Sequence, residues 1–88
     1  MQAHITHAKN PVLGWDIAAT AKADKGEAVA RGQIFVNGFA VYDEQLNPPV
    51  SNWQAQLIQK GQFPGNNEAR LIVTDQNGQD TVSIDSWG

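Results

Sequence analysis

The sequence predicts an all-β protein, an antiparallel sandwich of seven short strands. Three observations carry that expectation. Most of the chain alternates apolar and polar residues with a period of two, the spacing of a half-buried strand. Turn clusters rich in Gly, Asn, Asp and Pro recur roughly every ten residues, the rhythm of a sandwich. Two of them contain Asn-Gly, Asn37-Gly38 and Asn77-Gly78, each standing between alternating runs as a hairpin turn does.

Taken in order, Ala3 to Lys9 alternates weakly and ends at Asn10-Pro11, which marks a short edge strand. From Trp15 the pattern becomes regular, with Trp15, Ile17, Ala19, Ala21 and Ala23 on one face. The alanines favour a helix by propensity alone. The period of two and the closing turn Asp24-Lys25-Gly26 favour a strand instead. Ala28 to Val36 alternates next and turns through Asn37-Gly38 into a strand over Phe39 to Tyr42. Asp43 to Asn52 is polar and holds Pro48-Pro49, so it is expected to be a loop or an edge excursion, because proline cannot serve a central strand. Trp53 to Ile58 resumes alternation with Trp53, Ala55 and Leu57 on one face, and another loop through Pro64-Gly65 follows.

The hairpin Glu68 to Trp87, EARLIVTDQNGQDTVSIDSW, is the strongest local signal. Its β-branched residues suit a pleated surface, and its turn residues tolerate positive φ. Leu71, Val73, Val82 and Ile84 are expected to face inward. Trp87, Phe35 and Ile72 then fall on outward phases, while Tyr42 and Phe63 stand near loops. Trp15 and Trp53 share phase with small or aliphatic residues and read as core.

Bulk properties narrow the function classes. Eighty-eight residues make one domain, 1–88. The absence of cysteine excludes disulfides, thiolate metal sites and cysteine nucleophiles. A net charge of −3 with six scattered basic residues disfavours nucleic acid and anionic membranes, which draw their affinity from basic patches. No apolar run approaches the ~20 residues of a membrane-spanning helix. The first residues, MQAHITHAKN, lack a basic start and an apolar stretch, so if the larger protein it comes from is exported, the chain is expected to be a mature piece with a starting Met added.

No constellation points to an enzyme. Asp75, Asp80 and Asp85 flank the turn or fall on the outward phase of the last strand and read as solvated, whereas paired-carboxylate catalysis needs one group in an apolar pocket. His4 and His7 are three apart, which in a strand sets them on opposite faces, so they read as surface histidines rather than zinc ligands. Asp75, Asn77 and Asp80 surround Gly78 with oxygen-bearing side chains and suggest two things. One is an Asp-capped turn; the other is a weak calcium site, which would be the only cofactor.

Three segments, GEAVARGQIFVNGFAV, PPVSNWQAQL and TDQNGQDT, together resemble bacterial immunoglobulin-like domains of the fibronectin-III or PKD-like kind. The resemblance covers most of the chain from Trp15 onward. It implies a seven-stranded immunoglobulin-like sandwich from a bacterial extracellular or cell-surface protein, with a periplasmic setting as the alternative. It also implies a non-catalytic accessory, spacer or adhesion module whose partners are neighbouring domains, a polysaccharide or a surface protein. The chain departs from the resemblance at Gly32, where an apolar residue is usual, and this suggests a bulge or a close backbone approach. Gly26-Glu27 replaces a second acidic residue near the Asp24 turn, which weakens a calcium site there. The alternative function is a carbohydrate-binding module using Trp87, Tyr42, Phe63 and Phe35 as an exposed aromatic row, against which stands Trp87 closing the end of the sandwich. A small enzyme or inhibitor is the least favoured reading.

Overall fold

Seven strands follow one another along the computed structural model of the chain, which describes residues 1–12, 14–60 and 65–88. They are β1 (Gln2–Asn10), β2 (Gly14–Lys22), β3 (Val29–Val36), β4 (Phe39–Val50), β5 (Asn52–Lys60), β6 (Asn67–Asp75) and β7 (Asp80–Trp87). All pairings are antiparallel. One sheet is three-stranded, in the order β1-β2-β5, and the other is four-stranded, in the order β4-β3-β6-β7. The expected all-β sandwich of seven strands is what the chain forms, with no helix among the described residues.

The core lies between the sheets and is built from alternate residues of each strand. Ile17, Ala19, Ala21, Trp53 and Ala55 face inward from the three-stranded sheet; Val29, Ile34, Val36, Ala69, Leu71 and Val73 meet them from the other. Ala19 and Ala21 of β2 can face inward because Trp53 is their neighbour: Ala21 is its cross-strand partner, and Ala19 stands opposite Ala55. A bulky residue at either position would compete with the indole for the same space, so packing overrides helix propensity here.

At Gly32 the Trp53 indole of the other sheet lies directly against the β3 backbone. A β-carbon built on Gly32 would lie 2.4 Å from Cζ2 of Trp53, far inside contact distance. The departure at Gly32 therefore marks a close approach, as its sequence suggests. A register shift sits beside it, between Val29 and Arg31.

Two expectations about the strands need correction. Of the two readings of Asp43 to Asn52, the loop is wrong and the edge position is right: Asp43 to Val50 is the second half of β4, a twelve-residue edge strand that carries Pro48-Pro49 inside it. Proline fits because β4 is the edge of its sheet and because pairing with β3 is interrupted, Arg31 facing Gln45 and Val29 facing Val50. The phase of β7 is also the reverse of the one expected. Thr81, Ser83, Asp85 and Trp87 point inward, and Val82 and Ile84 are 52% and 51% exposed.

The β6–β7 turn explains the second correction. Gly78 donates its N–H to the carbonyl of Asp75, and Asp75 donates to the carbonyl of Gln79, with Gly78 at φ 80°. This is a three-residue loop with a glycine bulge. It pairs Val73 with Thr81 and Leu71 with Ser83. A two-residue loop would pair Val73 with Val82 and Leu71 with Ile84, and a slip of one residue exchanges every side chain between faces.

Candidate functional site

The described aromatic residues, Trp87, Tyr42 and Phe35, do not form an exposed row; the strands send them to different places. Tyr42 does not sit near a loop but lies within β4, half-buried against the core, with its ring 6.3 Å from that of Trp53. Its hydroxyl donates to Oε1 of Glu44 at 3.0 Å, and Nε1–H of Trp53 donates to the same oxygen at 2.8 Å. The hydrogen bond to Glu44, then burial, then the carboxylate charge hold the Tyr42 phenol above its usual range. Both donors come from the aromatic cluster beside Gly32, so this carboxylate belongs to the packing.

Trp87 lies at the opposite seam, between β1 and β7, and closes that side of the sandwich rather than pointing outward. Its ring stacks on His7 at 4.0 Å and 11°, and Trp15 meets both rings from β2. Nδ1 of His7 and Oδ2 of Asp85 meet at 2.5 Å. His7 is therefore half-buried in a cross-sheet pair, not a surface histidine, and Asp85 is inward, not on the outward phase. His4 is exposed on the other face of β1, as its spacing predicts. The indole N–H groups of Trp15 and Trp87 are buried with no acceptor. Each such orphan donor costs roughly 1–3 kcal/mol.

The turn residues divide in the same way. Asp75 is 4% exposed rather than solvated. Its Oδ1 accepts the N–H groups of Asn77 and Gln79, at 2.8 and 2.9 Å, so its carboxylate caps the turn from within. Asp80 accepts the hydroxyl of Thr74 at 2.7 Å, and Asn77 is exposed. Among the described residues no three His, Cys, Asp or Glu side chains converge as a metal site would require. Phe63 lies outside the described residues.

Of the three of these aromatics that are described, Phe35 alone stands on an outer face, and it is in company there. In the four-stranded sheet Phe35 pairs with Arg70, Arg70 with Ile84, and Ile72 with Val82. Phe35, Ile72, Val82 and Ile84 are thus side-by-side or diagonal neighbours across β3, β6 and β7, close enough for their side chains to touch. A shallow depression of about 250 Å³ opens between Phe35, Gly38, Glu68, Arg70 and Ile72. Its two charges, Glu68 and Arg70, are paired with each other, and a second pair, Arg31 with Asp43, lies elsewhere in the same sheet. Arg70 pairs with Glu68 at 3.3 Å, and Arg31 grips Asp43 through two bonds of 2.9 and 2.6 Å. The Arg31 hydrogen bonds hold the Asp43 carboxyl below its usual range.

This apolar stripe could not be found while Val82 and Ile84 were placed inward. The signal that finds it is the turn length, which sets the phase of β7. Comparisons with protein-family models, with curated proteins and with solved structures give no match to this chain.

Proposed function

We propose that the chain is a non-catalytic, immunoglobulin-like accessory or adhesion module that docks a protein surface through the outer face of its four-stranded sheet. The single observation behind this reading is the run Phe35, Ile72, Val82 and Ile84 on that face, two of its members half exposed. Contiguous apolar surface rimmed by polar residues marks interaction sites. Flat sheet faces suit docking to another protein better than enclosing a small molecule, which prefers a concave pocket. The division into β1-β2-β5 and β4-β3-β6-β7 supports the immunoglobulin-like part of the reading. An extracellular or cell-surface setting in a bacterium belongs to the same proposal and rests on the sequence resemblance.

Trp87 and Tyr42, two of the four aromatics of the carbohydrate-binding alternative, are engaged in opposite seams of the sandwich, which weakens that reading. A glycan array and a random peptide library, each screened with the chain and with Val82→Lys/Ile84→Lys, decide between the two. The docking reading expects peptide ligands rich in apolar residues that the double variant no longer binds. A glycan signal that survives the double substitution would overturn it.

A further inference from the structure

We infer that Asn77 is a site of spontaneous covalent modification: in the folded chain the backbone nitrogen of Gly78 attacks its side-chain amide, and water opens the product to aspartate or isoaspartate. Asn37-Gly38 carries the same dipeptide, and the fold protects it. The inference does not rest on the outer-face reading.

Asparagine followed by glycine invites this reaction, because glycine has no β-carbon to obstruct the approach of its nitrogen. A bond forms between the Gly78 nitrogen and Cγ of Asn77, and the bond from Cγ to Nδ2 breaks. The departing nitrogen leaves as ammonia, carrying the proton that the Gly78 nitrogen gives up. Water then opens the resulting cyclic imide at one of its two carbonyls. Attack at Cγ restores the ordinary peptide bond and leaves aspartate; attack at the main-chain carbonyl routes the chain through Cγ and leaves isoaspartate. Nothing is oxidised or reduced, and water is the only co-reactant.

The two dipeptides differ in what must be broken before the amide and the nitrogen can meet. Asn77 is exposed, and its side chain has no hydrogen-bond partner among the described residues. Its attacker, the Gly78 N–H, donates to the carbonyl of Asp75 at 3.1 Å. That bond lies in an exposed hairpin tip, where local opening costs least. Asn37 is half-buried and held at both ends of its amide. Its Oδ1 accepts the N–H of Glu68 at 2.8 Å, its Nδ2 donates to Oδ1 of Asn67 at 3.1 Å, and its own N–H donates to the carbonyl of Glu68 at 2.8 Å. Turning this amide toward Gly38 takes the acceptor from Glu68 and removes a donor from Asn67, which is 4% exposed. The same sequence is therefore open to reaction at one turn and clamped at the other.

The isoaspartyl product bears on the fold. It adds a carbon to the backbone of the loop whose length sets the phase of β7. The bonds from Asn77 and Gln79 to Oδ1 of Asp75, and the bond from Asp75 to the carbonyl of Gln79, cannot all be kept across a longer loop. β7 is then held less firmly against β6.

The test is to incubate the intact chain in mildly alkaline buffer, with and without denaturant, and to map the products by mass spectrometry. Trypsin, cutting after Arg31, Lys60 and Arg70, places Asn37 and Asn77 on different peptides. In the folded chain Asn77 should convert faster than Asn37 by about tenfold or more, as the hydrogen bonds on Asn37 require. In denaturant the two rates should converge, because only the fold separates them. Asn77→Gln should abolish the signal on the last peptide and leave the rate at Asn37 unchanged. Hydrogen exchange on the isoaspartyl fraction should be faster at Asn77, Gln79 and the β7 amides than in the unmodified chain. Equal rates in the folded chain, faster conversion at Asn37, or a ratio that survives denaturant would overturn the inference. An isoaspartyl product with unchanged exchange would overturn its effect on β7.

Discussion

The Trp53 indole on one sheet occupies the space that a side chain at Gly32 on the other would need. With 2.4 Å between the position of a Gly32 β-carbon and Cζ2 of the indole, the strand can carry no side chain there unless the ring moves. Gly32→Ala is therefore expected to destabilise the fold by about 1–3 kcal/mol, the usual cost of overpacking, even though alanine suits a strand better than glycine. Trp53→Phe, which removes the crowded edge of the ring, should recover part of that loss in the double variant. Denaturant unfolding of the four proteins in a double-mutant cycle checks this, and strict additivity would count against it.

The three tryptophans should respond differently to the same substitution. Trp53 donates its indole N–H to Glu44, whereas Trp15 and Trp87 bury theirs without an acceptor. Replacement by Phe breaks a bond in the first case and removes an orphan donor in the other two. Trp53→Phe is expected to cost more stability than Trp15→Phe or Trp87→Phe, by a margin of roughly 1–3 kcal/mol. Chemical denaturation of the three single variants measures the margin directly.

Alkaline pH should act through Tyr42. Its folded-state pKa is raised, first by its hydrogen bond to Glu44, so the fold favours the protonated phenol. The associated stability is fully present below the unfolded phenol value, about pH 10, and is lost as the pH rises through the higher folded value. Melting temperatures recorded from neutral to strongly alkaline pH should fall more steeply for the wild type than for Tyr42→Phe. Parallel curves would rule out the assignment.

Asp75 is expected to matter for the turn whether or not calcium is supplied. Asp75→Ala leaves the Asn77 and Gln79 N–H groups without their acceptor and should cost about 1–3 kcal/mol. Asp80→Ala, at an exposed position, should cost less. Addition of EDTA should leave the melting temperature of the wild type unchanged; a drop would restore the calcium reading of Asp75, Asn77 and Asp80.

Much of this architecture is legible in residue types. β2 announces itself through its period of two despite its alanines, and Gly32 signals a close approach because no other feature of β3 calls for glycine. The outward phase of Phe35 and Ile72 is also readable, since β3 and β6 are central strands whose inward residues are uniformly apolar. β7 is not readable that way. It is an edge strand whose inward side meets a polar and aromatic seam, so half-buried Thr81, Ser83 and Asp85 stand where apolarity predicts Val82 and Ile84. Apolarity therefore assigns its faces wrongly, while the length of the Asn77-Gly78 turn assigns them correctly. The His7–Asp85 pair was equally out of reach, because it joins residues 78 positions apart across two sheets.

The seam between β1 and β7 also sets how the molecule would bear tension. His7, near the end of β1, meets Asp85 and Trp87, near the end of β7. At the other end, Met1 reaches Asp24, in the turn region that Gln76 ties to the β6–β7 loop. The first and last strands therefore run in the same direction, and Gln2 and Trp87 are offset along it by about 17 Å, five residues of strand rise. A pull on those two residues slides β1 along β7 instead of peeling it away. The stacked rings and the His7–Asp85 hydrogen bond are then loaded together in shear, and the sandwich gives way only when they fail as a group.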